Sequence, residues 1–154
     1  MELGTGTGVS TLWLLQGLRA EGVLTSVDAE PEHQRLAKMS LTEAGIPSGR
    51  VRLISGRALE VLPRLSDAAY DVVFCDADRT ENGDYLRSAL RLLRPGGVMI
   101  FAGVLAGGRV ADPSARDTTT VALRELARTV RDDERLTSTI MPLGAGLLVA
   151  TLTG

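Results

Sequence analysis

A turn of alternating glycines near the start of the chain is the clearest candidate for ligand binding. The segment Gly4-Thr5-Gly6-Thr7-Gly8 follows the short stub "MEL", and glycine lets the backbone take positive φ angles and approach a ligand closely. The dinucleotide fingerprint Gly-x-Gly-x-x-Gly does not fit, because Val9 stands in the place of its last glycine. The spacing favours a nucleoside with a charged amino-acid tail over a pyrophosphate, and Glu2 can interact with the ammonium group of such a tail.

A carboxylate follows the next apolar run at the separation that a nucleoside site requires. Asp28 ends the predicted strand Val23–Asp28, and an acidic residue about 20 residues after a glycine turn can bind ribose. A carboxylate at this position accepts two hydrogen bonds from the ribose hydroxyls. The alternative is that Asp28 only closes the strand and that the acidic residues after it favour the dipole of the next helix.

A second group of charged residues closes the apolar run "YDVVFCD". Asp76 and Asp78 lie at the carboxyl end of a predicted parallel strand, where sheets of this kind bind their ligands. This position makes them candidates for chemistry. Arg79 stays protonated, so it cannot accept a proton but can stabilise an anion as a fixed cation. The alternative for Arg79 is a solvated loop residue. Strand alternation points Cys75 away from Asp76, as a small buried side chain.

The elements that position these residues alternate between short apolar runs and segments of helical period. This pattern predicts a mostly parallel α/β sheet with helices on both faces. Only "GAG" separates the last two runs, "LTSTIMPL" and "GLLVATL", and so short a connection requires an antiparallel pair. The stretch Gly103–Thr118 is predicted to be a long loop, either functional or mobile. The other predicted strands are Val51–Ser55, Tyr70–Asp76 and Val98–Ala102, and the predicted helices are Val9–Ala20, Pro31–Gly45, Leu59–Leu65, Asp84–Leu93 and Thr119–Arg131.

Length and composition narrow the function further. The 154 residues suffice for one domain, and 17 basic against 19 acidic residues argue against a general nucleic-acid or membrane-surface binder. One cysteine excludes an internal disulfide and fits a reducing, cytoplasmic compartment. His33, the single histidine, leaves little material for a histidine-based metal site, and we assign it to the surface. The expected partner is a small molecule.

The sequence resembles the S-adenosylmethionine-dependent O-methyltransferases of the catechol and caffeoyl-CoA type, particularly their bacterial members. The likeness covers nearly the whole chain, and its motifs are "ELGTGTGVSTLWL", "GVLTSVDAEPEHQRLA", "EAGI", "GRALEVLPRL", "YDVVFCDADR", "YLRSALRLLRPGG" and "PLGAGLLVATL". It implies a Rossmann-like class I methyltransferase fold, with a mostly parallel seven-stranded sheet and an antiparallel final strand. It also implies a homodimer.

The resemblance also implies a cofactor site, with Asp28 on the ribose and the turn Gly56-Arg57-Ala58 beside the adenine. The residues expected to bind S-adenosylmethionine are Glu2, Gly4, Thr5, Gly6, Ser10, Asp28, Ala29, Gly56, Arg57, Ala58 and Asp78. The expected catalytic residues are Asp76 and Arg79.

Three positions, and the start of the chain, depart from the family. The family holds a divalent cation with the Asp that matches Asp76 and with an Asp-Asn pair that falls on Ala102 and Gly103, and its candidate base is the lysine that falls on Arg79. One carboxylate cannot replace three oxygen ligands, so we predict no tightly bound metal. Family members also carry helices before the acidic residue that corresponds to Glu2, so the chain is either a fragment or lacks this cover.

The leading hypothesis is one S-adenosylmethionine-binding domain over residues 1–154 that methylates a hydroxyl or phenol of a small molecule without a metal. The alternative is a catalytically degenerate cofactor-binding protein that serves as a sensor or partner subunit. The changes at Arg79, Ala102 and Gly103 motivate that alternative. A nicotinamide-dependent oxidoreductase is disfavoured by the spacing of the glycines.

Overall fold

The computed structural model describes residues 1–153. Within them lie seven β-strands and five α-helices, in two compact units, of which Met1–Arg64 is the first and the second begins at Leu65. No helix in this part of the chain is long and apolar enough to cross a membrane. That residues 1–154 form a single domain stays a prediction.

The first unit is a layer of three parallel strands in the order β3-β2-β1 with helices packed on it. Strand β2 is buried along most of its length, as expected for an inner strand of a parallel sheet. Helix α2 starts at proline, whose missing N–H costs nothing in the first turn. The elements are β1 (Glu2–Leu3), α1 (Val9–Gly17), β2 (Leu24–Asp28), α2 (Pro31–Glu43), β3 (Val51–Ser55) and α3 (Ala58–Val61).

The second unit has four strands in the order β4-β5-β7-β6. Strands β4 and β5 are parallel, whereas β7 runs antiparallel to both of its neighbours, β5 and β6. The antiparallel ending that the short "GAG" connection predicts is thereby confirmed. The elements are β4 (Tyr70–Cys75), α4 (Asn82–Leu92), β5 (Leu93–Ala102), α5 (Thr118–Asp132), β6 (Leu136–Met141) and β7 (Leu147–Leu152).

The segment "RPGG" differs from the prediction. It was expected to lie between helix and strand, but β5 already begins at Leu93, which pairs with Tyr70, and the next pair is Val72 with Val98. The four residues between the two pairs bulge out of the ladder, with Gly96 at φ 77°. Turn-forming residues here interrupt a strand instead of preceding it, because a bulge also accommodates positive φ and a missing N–H.

The predicted loop Gly103–Thr118 is partly ordered by one arginine. It contains a 3-10 helix, Ala106–Ala111, and Arg124 of α5 donates hydrogen bonds to main-chain carbonyls along it. The acceptors are Arg109 (3.0 Å), Val110 (2.9 Å), Ala115 (2.7 Å) and Asp112. Arg124 thus ties four main-chain carbonyl groups of this segment to α5.

Replacing Arg124 with Ala should loosen this segment. Losing hydrogen bonds from a charged donor should lower the free energy of unfolding by about 1 to 3 kcal/mol and speed amide hydrogen exchange over residues 106–117. Arg128→Ala, at an exposed position one turn further along α5, is the matched control and should change neither. Equal effects of the two substitutions in urea unfolding and hydrogen exchange would show that Arg124 does not organise the loop.

Candidate functional site

The carboxylate of Glu2, on β1, is buried within the first unit. Glu2 is 0% exposed, and its two oxygens accept hydrogen bonds of 2.6 Å from the hydroxyls of Ser10, Thr11 and Ser26. A buried charge is costly unless hydrogen bonds replace its water, and the three hydroxyls do so. They also join β1 to the start of α1 and to β2.

The hydroxyl network continues beyond Glu2. Thr5 lies with its Oγ1 2.6 Å from Ser26 Oγ, and Gln34 donates from Nε2 to Thr5 Oγ1 (3.4 Å) and to the carbonyl of Ile54 (3.0 Å). The network therefore connects β1 and the glycine turn to α2 and β3. Thr11, Ser26 and Gln34 were not predicted as site residues. Ser26 could have been found from strand pairing, because β2 runs parallel to β1 and Ser26 lies opposite Glu2.

The glycine turn serves two separate purposes. Gly4, Gly6 and Gly8 all take positive φ angles, of 92°, 53° and 91°. A Cβ on Gly8 would lie 3.1 Å from the Cα of Ala37, so this glycine allows α2 to pack closely. Within residues 1–153, no atom other than those of residues 5–7 lies within 4 Å of a Cβ built on Gly6. Gly6 therefore leaves open space at the turn, which suits a ligand that approaches the backbone.

Asp28 is held in place by the turn. Its Oδ2 accepts the N–H of Gly6 and its Oδ1 accepts the N–H of Glu30, both at 2.8 Å. The side chain is only 9% exposed, and the Nδ1 of His33 lies 3.2 Å from both oxygens. The assignment of His33 as a plain surface residue is thus incomplete. Its side chain is 46% exposed, but it contacts Asp28, the residue predicted to bind the ribose. His33 lies in the first turn of α2, five residues after Asp28, a proximity that the sequence contained.

The turn after β3 is also joined to Asp28. The N–H of Gly56 donates to the main-chain carbonyl of Asp28 at 3.0 Å. Arg57 precedes α3, and Ala58 is its first residue, while Ala29 is exposed between β2 and α2. In the first unit, the structure therefore gathers the predicted cofactor residues at the carboxyl ends of β1, β2 and β3.

The other predicted residues lie at the corresponding edge of the second unit. Asp76 is exposed directly after β4, and the parallel pair Cys75–Phe101 places it level with Ala102. Asp78 accepts hydrogen bonds from the N–H (2.9 Å) and hydroxyl (2.7 Å) of Thr80 and so caps the short 3-10 helix that carries Arg79. Cys75 is 2% exposed, as predicted, and burial raises the pKa of its thiol.

The residues at this edge do not fit a magnesium-type site. Ala102 and Gly103 contribute no side-chain oxygen, and nowhere in residues 1–153 do three His, Cys, Asp or Glu side chains come together in a way that could hold a metal ion. A Mg²⁺ ion needs near-octahedral oxygen coordination. That the protein binds no catalytic metal tightly stays a prediction.

Comparisons with known proteins agree on one kind of enzyme. A family model described as O-methyltransferase matches residues 1–152. A protein of Mycobacteroides abscessus named as an O-methyltransferase is 55% identical over 98% of this chain and 70% of its own length.

Two solved structures match the fold closely. A protein of Corynebacterium glutamicum superposes with a TM-score of 0.94 at 35% identity, over 99% of this chain and 71% of that one. The O-methyltransferase TomG of Streptomyces achromogenes, involved in tomaymycin synthesis and solved with S-adenosylmethionine, gives 0.91 at 33% identity, over 99% and 72%.

Removing the charge of Glu2 should destabilise the first unit. In Glu2→Gln an amide N–H₂ replaces one carboxylate oxygen, and it faces hydroxyls that donate hydrogen bonds to that oxygen in the wild type. The free energy of unfolding should therefore fall by about 2 to 4 kcal/mol. Glu21→Gln, at an exposed position, is the control and should have little effect. If urea unfolding shows the same stability for both variants, the buried carboxylate does not have the structural role assigned to it.

Proposed function

This chain belongs to the O-methyltransferase family, and we propose that it methylates a hydroxyl or phenol oxygen of a small molecule without a catalytic metal. S-adenosylmethionine is the methyl donor, in keeping with the complex of the Streptomyces achromogenes relative. The predicted Rossmann-like methyltransferase fold, mostly parallel with an antiparallel final strand, is confirmed. The proteins matched are O-methyltransferases, and none of those named above favours the sensor alternative.

The observation that carries the proposal is the pairing of Gly6 with Asp28. The N–H of Gly6 fixes one carboxylate oxygen of Asp28 and the open space over Gly6 lies beside it. Asp28 keeps acceptor capacity for two ribose hydroxyls, because a carboxylate has about four lone-pair positions and the main chain uses two. His33 stands at those remaining positions, so the ribose must share or displace its ring.

The other cofactor residues support this assignment. Ser10 and the turn from Gly4 to Gly6 would meet the amino-acid tail, and Gly56, Arg57 and Ala58 the adenine. Glu2 sets the direction of the Ser10 hydroxyl through a 2.6 Å hydrogen bond. Ala29 and Asp78 complete the proposed set. When bound, S-adenosylmethionine supplies an electrophilic methyl group on a positively charged sulfur.

Few groups in the second unit can take a proton from the acceptor. The sequence has one lysine, Lys38, and one histidine, His33, and both belong to α2 of the first unit. Burial raises the pKa of Cys75, and burial with a hydrogen bond to Glu81 raises the pKa of Tyr85, so neither is ionised at neutral pH. Asp76, exposed after β4, is the proposed base, and Arg79 the proposed fixed cation.

We further propose a cytoplasmic homodimer. The single cysteine and the absence of a strongly basic surface composition support a small-molecule enzyme of a reducing compartment. The dimer is the expectation from the family. Light scattering of the purified protein that gives the mass of one chain would exclude it.

Asp28→Asn should weaken cofactor binding. The amide keeps the shape of the side chain but loses one acceptor oxygen and the charge, so the affinity for S-adenosylhomocysteine should fall by about 10- to 100-fold. Isothermal titration measures it, with Glu30→Gln as the control for an exposed neighbouring carboxylate. An unchanged affinity in Asp28→Asn would remove this residue from the site.

Chelation should leave activity intact. Because Ala102 and Gly103 cannot ligate a cation, methyl transfer measured in EDTA should stay within about twofold of the rate in Mg²⁺. The triple variant Arg79→Lys, Ala102→Asp, Gly103→Asn restores the family's residues and is the matched comparison. Complete loss of wild-type activity in EDTA, regained with Mg²⁺, would contradict the proposal.

A further inference from the structure

We infer that the acceptor is a small hydroxy acid, that Arg79 binds its carboxylate, and that the neighbouring hydroxyl receives the methyl group. This inference rests on the methyl transfer proposed above and names the class of its substrate. It follows from three features of the second unit. These are the contact of the Arg79 guanidinium with Gly103, the hydrogen bonds that hold the main chain at Gly103, and the lack of a partner for the charge of Arg79 within residues 1–153.

The guanidinium of Arg79 packs closely against Gly103. It lies so close to Gly103 that a Cβ built there would be 2.7 Å from both Cζ and Nε of the arginine. Gly103 is buried and has a φ of 72°. Any side chain at this position would therefore push the guanidinium away, so Gly103 and Arg79 depend on each other.

The backbone under Arg79 is fixed by the loop between β6 and β7. Gly103 N–H and Val104 N–H both donate to the carbonyl of Gly146, at 2.8 and 3.2 Å, and Leu105 N–H donates to that of Ala145 at 3.0 Å. Leu105 fills the space where a side chain on Gly146 would lie, its Cδ1 2.9 Å from a Cβ built there. The guanidinium thus packs on a segment whose main chain is held by the loop between β6 and β7.

The charge of Arg79 has no partner within residues 1–153. No carboxylate or carbonyl in this part of the chain accepts a hydrogen bond from it, whereas Arg109, Arg124 and Arg135 each bind acceptors in the same unit. A partly buried guanidinium without an acceptor is costly. Its planar fork of N–H groups matches a carboxylate in two-pronged geometry, and a substrate carboxylate would supply the missing acceptor.

The reaction then balances without a lysine base. The acceptor's hydroxyl oxygen forms a bond to the methyl carbon while the carbon–sulfur bond breaks, and the sulfur keeps the electron pair to give S-adenosylhomocysteine. The hydroxyl proton passes to the carboxylate of Asp76. Arg79 remains protonated throughout and acts by fixing the acid group.

The test compares two probes of nearly the same shape, of which one carries a carboxylate and the other a neutral amide. The full chain is assayed with S-adenosylmethionine and either 2-hydroxybenzoate or its neutral amide, 2-hydroxybenzamide, and the ether product is measured. The wild type should prefer the acid by about 10- to 100-fold in kcat/KM, the difference expected of a hydrogen-bonded ion pair. A wild type that methylates both probes equally would overturn the inference while leaving the proposed function standing.

Variants decide whether Arg79 makes the difference. Arg79→Met should abolish the preference for the acid, so that kcat/KM for the acid falls to that for the amide, and Arg79→Lys should keep part of the preference. Gly103→Asn retains the arginine but displaces its guanidinium, and asparagine tolerates positive φ, so it should also lose the preference. Arg87→Met, at an exposed residue that pairs only with Asp84, is the control and should behave as the wild type. A preference that survives in Arg79→Met would overturn the inference.

Titration separates this inference from the proposed function. If neither probe is methylated, 2-hydroxybenzoate is titrated into the protein saturated with S-adenosylhomocysteine. Binding that Arg79→Met loses supports the inference, and no binding by the wild type contradicts it. A folded chain that does not bind S-adenosylhomocysteine would contradict both proposals.

Discussion

The first unit depends on one buried carboxylate. Glu2 is fully buried and compensated by the hydroxyls of Ser10, Thr11 and Ser26, and these contacts fix where the first strand ends relative to the helix and strand beside it. The glycine turn is thereby held at the position from which Gly6 reaches Asp28. A buried carboxylate without hydrogen-bond donors would destabilise the fold. With its three hydroxyl donors, that of Glu2 instead fixes the geometry of the predicted cofactor site.

The main feature of the second unit's candidate site is a guanidinium packed on a glycine. Ala102 and Gly103 have no ligating side chains, and the guanidinium of Arg79 occupies the space over Gly103. Residue 103 has to be glycine for this arrangement, because the guanidinium of Arg79 lies where a side chain on residue 103 would be. A guanidinium held in this way suits the acceptor proposed above, which brings its own negative charge.

Local sequence signals predicted the fold well, and the exceptions involve contacts between distant residues. The antiparallel ending was predictable because three residues cannot connect parallel strands. The ordering of residues 106–111 was not, because it depends on Arg124, which follows later in α5. The place of Asp28 beside the glycine turn was predictable from spacing, whereas the contacts of Gln34 and the packing of Arg79 on Gly103 arise only when elements pack. Turn residues at "RPGG" predicted a break but not its form, since a bulge and a turn need the same backbone angles.

A crystal structure of the protein with S-adenosylhomocysteine is the most direct test of this account. We expect the ribose hydroxyls to bind both oxygens of Asp28 and the ligand to fill the space over Gly6. Glu2 should still accept hydrogen bonds from Ser10, Thr11 and Ser26. A ligand seated elsewhere, with Asp28 bonded only to Gly6, Glu30 and His33 as in the present structure, would contradict it.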